Sequence, residues 1–182
     1  MIAQSSVKVA AAERPPGYPV ELELKLDGLA VRPVVPQDAG RLAGEFAAAD
    51  AETLRMRFFV PAPHLTSHDF ERLTTVDYLR RLAITAWDDD QPVAIARYEP
   101  AGETTAEVAF VVKPAYRNRG IGRRLIEILA RSAANAGYEE LSALYLAENT
   151  AAAAALAAAG FTRHAADGSI VEVRRDLRPP RP

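Results

Sequence analysis

The sequence contains no cysteine. Disulfides, thiolate metal ligands and covalent catalysis through an enzyme thiol are therefore excluded. Histidine is also scarce, with three in the chain, and only His64 and His68 lie near each other. Their spacing would place both on one side of a helix, but apart from the adjacent Asp69 no third ligand follows at a suitable distance. We interpret this segment as the polar start of a helix and expect no metal.

Long apolar runs and clustered basic residues are missing as well. No stretch approaches the roughly 20 apolar residues that a membrane-spanning helix needs. The first twelve residues hold one lysine and no continuous apolar core, so they match a signal peptide poorly. The net charge is -2, and the 22 lysines and arginines are scattered rather than gathered in the basic stripe typical of nucleic-acid binders. We expect a soluble, cytoplasmic protein that binds neither membranes nor nucleic acid.

The length allows one well-buried core. With 182 residues, 49% of them hydrophobic, a second full domain is not expected. Residues 1–19 contain Pro15-Pro16-Gly17 and little periodicity, which predicts a flexible N-terminal arm. Residues 20–177 form the predicted single domain, and 178–182 are a proline-rich tail that cannot continue a helix or a sheet ladder.

Hydrophobic periodicity predicts a mixed α/β protein. Antiparallel hairpins come first, and a strand–helix–strand–helix–strand half follows. This order predicts a central mixed β-sheet of about six to seven strands with helices on both faces. The predicted strands cover 29–35, 81–87, 92–98, 105–112, 140–146, 161–164 and 169–176. The predicted helices cover 37–49, 51–59, 66–73, 120–136 and 150–159.

The most informative segment runs from Val108 to Arg124, where a strand leads through a short loop into the pair Gly120-x-Gly122 and a strongly amphipathic helix. Glycine lets a backbone approach a ligand closely. The first amides of a helix have no partner within the helix and bind anions, aided by the helix dipole. Arg117, Arg119 and Arg123 add positive charge, so we expect a pyrophosphate here. The alternative is a plain turn whose glycines serve packing, since the P-loop Gly-Lys-Ser/Thr and the third glycine of a dinucleotide fingerprint are absent.

Arg117-x-x-Gly120-x-Gly122 resembles the acetyl-CoA motif of the GNAT superfamily of N-acetyltransferases, and the order of elements fits from about 28 to 176. Asn149, at the start of the helix that ends before Gly160-Phe161, resembles the family's second coenzyme segment. The resemblance implies a GNAT-like fold, with acetyl-CoA as co-substrate. It implies the following contacts: backbone groups of Phe110, Val111 and Val112 for the pantetheine arm, amides of Asn118, Arg119, Gly120, Ile121, Gly122 and Arg123 for the pyrophosphate, and the side chain of Asn149.

A narrower resemblance lies in Arg57-Phe58-Phe59, Arg72-Leu73-Thr74, Val76-Asp77-Tyr78 and the strand 106–110. Together these are similar to the catalytic domain of bacterial Pat-type protein lysine acetyltransferases. The resemblance implies a protein partner, namely an AMP-forming acyl-CoA synthetase acetylated on a lysine. The chain has no room for the regulatory domain of longer Pat proteins, so it is a natural single-domain form or an excised fragment. A small-amine acetyltransferase and a non-catalytic acetyl-CoA-binding domain remain the alternatives.

Glu107 is the candidate general base. A thioester is attacked by a neutral amine, so a group must accept a proton from lysine. Glu107 interrupts an otherwise apolar strand on the side of Ala109 and Val111, and apolar surroundings would make its carboxylate a stronger base. In Pat-type enzymes a glutamate at this strand position is understood to have this role. The alternative is an ion pair with Arg97 on the neighbouring strand.

Other acids and bases are weaker candidates. Glu103 and Glu148 lie in predicted loops. The position that holds a proton-donating tyrosine in many GNAT enzymes is Leu156 here, and a coenzyme thiolate can leave without a protein acid. Tyr145 and Tyr116 lie near the predicted site, but a strand tyrosine such as Tyr145 more often packs in the core or on the sheet, and Tyr116 is suited to packing beside the anion loop.

Overall fold

An Asp-Gly turn opens the fold. In this computed structural model, which describes residues 14–60 and 62–179, β1 (Leu24–Leu26) pairs antiparallel with β2 (Leu29–Pro33). Asp27 and Gly28 both have positive φ, 52° and 82°, as a two-residue type I′ hairpin requires. Strand β1 was not predicted from the sequence. The signal was nevertheless present, since Asp-Gly between alternating apolar residues is a strong hairpin pattern.

The described residues form one mixed sheet of eight strands, slightly more than the six to seven predicted, with the order β1-β2-β3-β4-β5-β6-β8-β7. All neighbouring strands are antiparallel except β5 and β6. The remaining strands are β3 (Leu82–Asp88), β4 (Gln91–Pro100), β5 (Thr105–Val112), β6 (Glu140–Leu146), β7 (Thr162–Asp167) and β8 (Ile170–Asp176). The α-helices are α1 (Ala39–Ala48), α2 (Ala51–Phe58), α3 (Ser67–Thr74), α4 (Ile121–Asn135) and α5 (Thr150–Ala158).

The helix ends follow local side-chain chemistry. Asp50 caps α2 by accepting from the backbone N–H of Thr53 at 2.7 Å, and Phe59, with φ 65°, ends that helix. Thr66 and Asp69 form the capping box that begins α3. The predicted mixed α/β architecture is confirmed.

Helices cover both faces of the sheet. The apolar stripe of α4 is buried: Ile121, Leu125, Ile128 and Leu129 are at most 5% exposed. They pack with even-numbered residues of β3, β4 and β5 and with Leu141 and Ala143 of β6 to form the main core. The contacts of α5 with α4 place it beside that helix, whereas α1, α2 and α3 cover the opposite face, where a cavity remains. The sheet thus carries its tight core on one face and an open space on the other.

The predicted N-terminal arm lies only partly within the described residues. Residues 1–13 are outside them, as are 180–182 of the predicted tail. The end of the arm that is described contacts the domain. Tyr18 meets Tyr78 edge to face at 5.5 Å, and Arg14 forms an ion pair with Glu23.

Candidate functional site

The sheet opens between β5 and β6. The two strands pair in parallel only from Thr105 opposite Glu140 to Val108 opposite Ala143. Beyond these pairs β5 continues along β4, and β6 continues along β8. We call the resulting gap, between residues 109–112 and 144–146, the β5–β6 opening. A cavity beside it is lined from both strands and from α2 and α5, including Glu107, Tyr145 and Asn149.

Backbone groups of β5 face this opening at alternate residues. The N–H of Lys113 donates to the carbonyl oxygen of Val93 on β4 at 2.9 Å. In an antiparallel ladder the direction of the backbone groups alternates, so Val111 bonds toward β4 while Phe110 and Val112 face away from it. Two of the three predicted pantetheine contacts, Phe110 and Val112, therefore face the β5–β6 opening, and Val111 instead turns its backbone to β4.

The loop before α4 presents free amides. In α4 the first intrahelical bond runs from Arg124 to the carbonyl of Gly120. Within the described part of the chain, no group accepts from the N–H groups of Ile121, Gly122 and Arg123, and no side chain caps the helix. Asn118 and Gly120 hold left-handed conformations, with φ 61° and 73°. These turns give the helix start the geometry of an anion site.

The two glycines of the motif have different roles. Gly120 needs its positive φ, and a Cβ there would meet nothing within 4 Å. Gly122 has ordinary helical φ, but a Cβ would lie 3.2 Å from Cε2 of Phe110 and 3.5 Å from Cγ2 of Val112. Gly122 therefore lets α4 pack closely on β5, which is the packing alternative raised from the sequence.

The arginines of the motif are all engaged with protein groups. Arg119 pairs with Asp27 at 2.7 Å, and Arg123 pairs with Glu127 at 2.8 Å. Arg117 donates through Nε to the carbonyl oxygen of Val112 and through Nη2 to Oγ1 of Thr53, each at 3.1 Å. The charge expected around the anion site is thus partly neutralised, and the helix amides are its uncommitted donors.

Helix α2 crosses over the β5–β6 opening and is held on both sides of it. Thr53, in its first turn, accepts from Arg117 beside the end of β5. Arg55 pairs with Glu148, in the loop after β6. These two contacts fix the helix above the site.

Asn149 begins α5. Its Oδ1 accepts from the backbone N–H of Ala152 at 3.0 Å, so the side chain is an N-cap. It also lines the cavity at the opening, as does Tyr145. Leu156 is buried at 1% exposure, and Tyr116 donates to Asp88 at 2.6 Å outside this cavity.

Glu107 lies at the edge of the opening with an exposed side chain, so the expected apolar burial is wrong. The alternative pairing with Arg97 is absent as well. Arg97 donates through Nε to Glu99 at 3.0 Å and through Nη1 to the carbonyl of Leu73, and Arg81 also donates to Glu99. Among the described residues, Glu107 has no hydrogen-bond or ion-pair partner for its carboxylate.

Arg57 is a residue whose position the sequence motif did not explain. It lines the cavity at the opening and also the larger cavity under α1–α3. Burial and the like charge of Arg97 lower the pKa of Arg57 to about 10, although Glu107 acts in the other direction. Sequence patterning had no means of showing this, because it depends on how α2 lies over the sheet.

The described residues hold neither a metal cluster nor a membrane-spanning helix. They contain no group of three or more acidic or histidine side chains arranged to hold a metal ion. None of the helices found in 14–60 and 62–179 is both long and apolar enough to cross a membrane.

Comparison with known proteins matches the site to a family. The model of the acetyltransferase (GNAT) family matches residues 49–161, which include α2, Glu107, the anion loop and α5. The acetyltransferase Pat of Mycolicibacterium smegmatis is 36% identical over 126 residues, covering 66% of this chain and 37% of that protein. This chain therefore aligns with little more than a third of the length of that curated relative.

Solved structures of acetyltransferases superpose on this chain. The GNAT domain of S. lividans PAT superposes with a TM-score of 0.81 at 29% identity, covering 87% of this chain and 99% of that domain. A protein from Salmonella typhimurium, determined with its cofactor acetyl-CoA, has a TM-score of 0.68 at 16% identity, covering 82% of this chain and 94% of that one. At that identity the second comparison supports the fold alone.

Proposed function

Because this chain belongs to the GNAT family of acetyltransferases, we propose that it transfers acetyl from acetyl-CoA directly to a lysine side chain of a protein. We further propose that the lysine belongs to an AMP-forming acyl-CoA synthetase. The likeness to the GNAT domain of S. lividans PAT and to acetyltransferase Pat supports a Pat-type acceptor. We also propose a cytoplasmic location.

The coenzyme, which GNAT enzymes use as co-substrate, supplies an acetyl group activated as a thioester. The free amides of Ile121, Gly122 and Arg123 would hold its pyrophosphate at the start of α4. Backbone groups of Phe110 and Val112 would hold the pantetheine arm in the β5–β6 opening, and Asn149 would contact it from α5. The residues present therefore fit the coenzyme.

Glu107 is proposed as the general base. A lysine side chain has a pKa of about 10.4 in water, so about one amine in a few thousand is neutral at pH 7. Glu107 would accept the proton that the lysine nitrogen gives up as its bond to the acetyl carbon forms. The coenzyme sulfur leaves as a thiolate. Such catalysis contributes about 10²–10⁴-fold to the rate.

The observation that carries this role is the free carboxylate of Glu107 beside the opening. Its neighbour in the ladder, Glu99, is committed to Arg81 and Arg97, and the two weaker candidates lie elsewhere. Glu103 is in the exposed loop between β4 and β5, and Glu148 is paired with Arg55. An exposed carboxylate is also directly accessible to a lysine on a protein surface.

Labelled acetyl-CoA tests the proposal. The protein is incubated with purified AMP-forming acyl-CoA synthetases, and transfer is expected to a lysine whose replacement by arginine abolishes labelling. Release of coenzyme thiol with free amines alone would favour a small-amine acetyltransferase. Tight coenzyme binding without transfer to any acceptor would favour a non-catalytic binding domain.

A further inference from the structure

An apolar cavity lies between the sheet and α1, α2 and α3. Its volume is about 620 Å³, within the usual range of small-molecule sites. We call it the α1–α3 cavity, and its apolar lining includes Leu42, Phe46, Leu54, Phe70 and Val111. Glu107 and Asn149, to which the proposed acetyl transfer assigns roles, do not line it; they line the neighbouring cavity at the β5–β6 opening.

The charged residues of the lining separate into two groups. Most are satisfied within the wall itself. Glu45 pairs with Lys113, Asp50 accepts from the backbone and hydroxyl of Thr53, and Arg97 donates to Glu99 and to Leu73. Arg57 is the exception.

Within residues 14–60 and 62–179 the guanidinium of Arg57 makes no hydrogen bond and no ion pair. The guanidinium lies 4.8 Å from the ring centroid of the adjacent Phe58, and the charge of Glu107 acts on it without a direct contact. With its pKa lowered only to about 10, the side chain is still a cation at neutral pH. A half-buried cation without an acceptor is costly, and a guanidinium matches a carboxylate through two parallel hydrogen bonds.

We propose that the α1–α3 cavity binds a small monocarboxylate with an apolar body, its carboxylate on Arg57 and its chain among the apolar side chains. Charge decides between occupants. Arg57, which no described residue pairs, would repel an alkyl ammonium, and a neutral alcohol would leave its guanidinium without an anionic partner. The inference goes beyond acetyl transfer and does not depend on the identity of the acceptor. Since Arg57 and Ala109 line both cavities, the bound acid would lie next to the proposed reaction centre.

Calorimetric titration with three matched six-carbon probes tests the site. Hexanoate is expected to bind saturably, one per chain, and at least tenfold more tightly than 1-hexanol, with no binding of hexylamine. Equal affinity for hexanoate and 1-hexanol, or no saturable binding of hexanoate, would overturn the proposal. So would loss of hexanoate binding when acetyl-CoA is in excess, because the acid would then occupy the coenzyme opening.

Two variants at Arg57 locate the carboxylate. Arg57→Gln is expected to weaken hexanoate binding at least tenfold, and Arg57→Lys, which keeps the charge but not the planar donors, is expected to lose less. Arg55→Gln is the matched control: it lies on the same helix, pairs with Glu52 and Glu148, and does not line the cavity. Unchanged hexanoate affinity in Arg57→Gln disproves the site. A parallel acetyl-CoA titration separates this failure from a failure of the coenzyme site.

Discussion

Glu107 and Glu99 lie directly opposite each other in the ladder of β5 and β4, yet only Glu99 accepts hydrogen bonds from arginine side chains. Two glutamates on one face of the sheet thus have different environments. Glu99 is committed to structure through Arg81 and Arg97. Glu107, at the β5–β6 opening, has no such partner among the described residues.

Replacing Glu107 tests this division. Glu107→Gln keeps the size and polarity of the side chain but cannot accept a proton from an amine, so kcat is expected to fall by about 10²–10⁴-fold. Folding and the affinity for acetyl-CoA are expected to stay near wild type, as measured by thermal melting and calorimetric titration. Glu103→Gln, in the exposed loop before β5, is the control and should keep its turnover. A Glu107→Gln enzyme with near-normal kcat would disprove the assignment.

We expect Glu99 to make the stability of the fold depend on pH. Burial alone raises the pKa of Glu99, but the hydrogen bond from Arg81 and the charge of Arg97 outweigh burial and leave the pKa lowered. A lowered carboxyl pKa means that the native state binds fewer protons than the unfolded state. The stabilisation is therefore present above the ordinary glutamate pKa and is lost as the pH falls through the lowered value.

Glu99→Gln measures that stabilisation. At pH 7 the variant is expected to lose about 1–3 kcal/mol in urea unfolding, since it leaves the 6% exposed Arg97 without its anion. At pH 3 the difference from wild type should shrink. Glu23→Gln removes the exposed pair with Arg14 and should cost about 1 kcal/mol or less at either pH. A loss at Glu99 that stays constant with pH would contradict the pairing.

Gly122 predicts a steric effect that can be isolated. Gly122→Val would push a side chain into Phe110, and overpacking of this kind costs about 1–3 kcal/mol. Gly40→Val is a close match, because each glycine is the second residue of its helix and a Cβ at Gly40 meets nothing within 4 Å. Urea unfolding should therefore show a larger loss at Gly122, together with weaker acetyl-CoA binding. Equal losses at both positions would show that helix propensity alone is responsible.

Asn149 can be tested for two roles at once. Asn149→Ala removes the cap of α5 and is expected to cost about 0.5–2 kcal/mol in stability. Asn149→Asp keeps an oxygen acceptor for the N–H of Ala152, so stability should be retained. If the amide nitrogen also contacts the coenzyme, Asn149→Asp will bind acetyl-CoA more weakly despite its intact fold. Unchanged affinity in both variants would leave Asn149 with the cap alone.

Patterns that are local in the sequence predicted the fold well. The polar start of α3 and the amphipathic pattern of α4 depend on spacing along the chain, and both are confirmed. The strand β1 was missed because three residues are too short for periodicity, although Asp27-Gly28 marked its turn.

The site was less predictable because it depends on contacts between distant segments. Asp27 forms an ion pair with Arg119, 92 residues away in the sequence. Arg97, the alternative partner considered for Glu107, pairs with Glu99 instead. Alternation along β5 correctly placed Glu107 on the side of Ala109 and Val111, opposite Gly122. It gave no sign that this glutamate would be exposed, since exposure depends on how α2 covers the sheet.

Arg117 links the end of β5 to α2, because it donates to both the carbonyl oxygen of Val112 and the hydroxyl of Thr53. This link affects the thermodynamics of ligand binding. A ligand that replaced Arg117 as the donor to the carbonyl oxygen of Val112 would also draw this side chain away from its hydrogen bond to Thr53. Ligand binding in the β5–β6 opening and loss of the Arg117–Thr53 hydrogen bond in the first turn of α2 would then be one linked equilibrium. In the proposed function, part of the free energy of coenzyme binding would then be used to free the helix that lies over the β5–β6 opening.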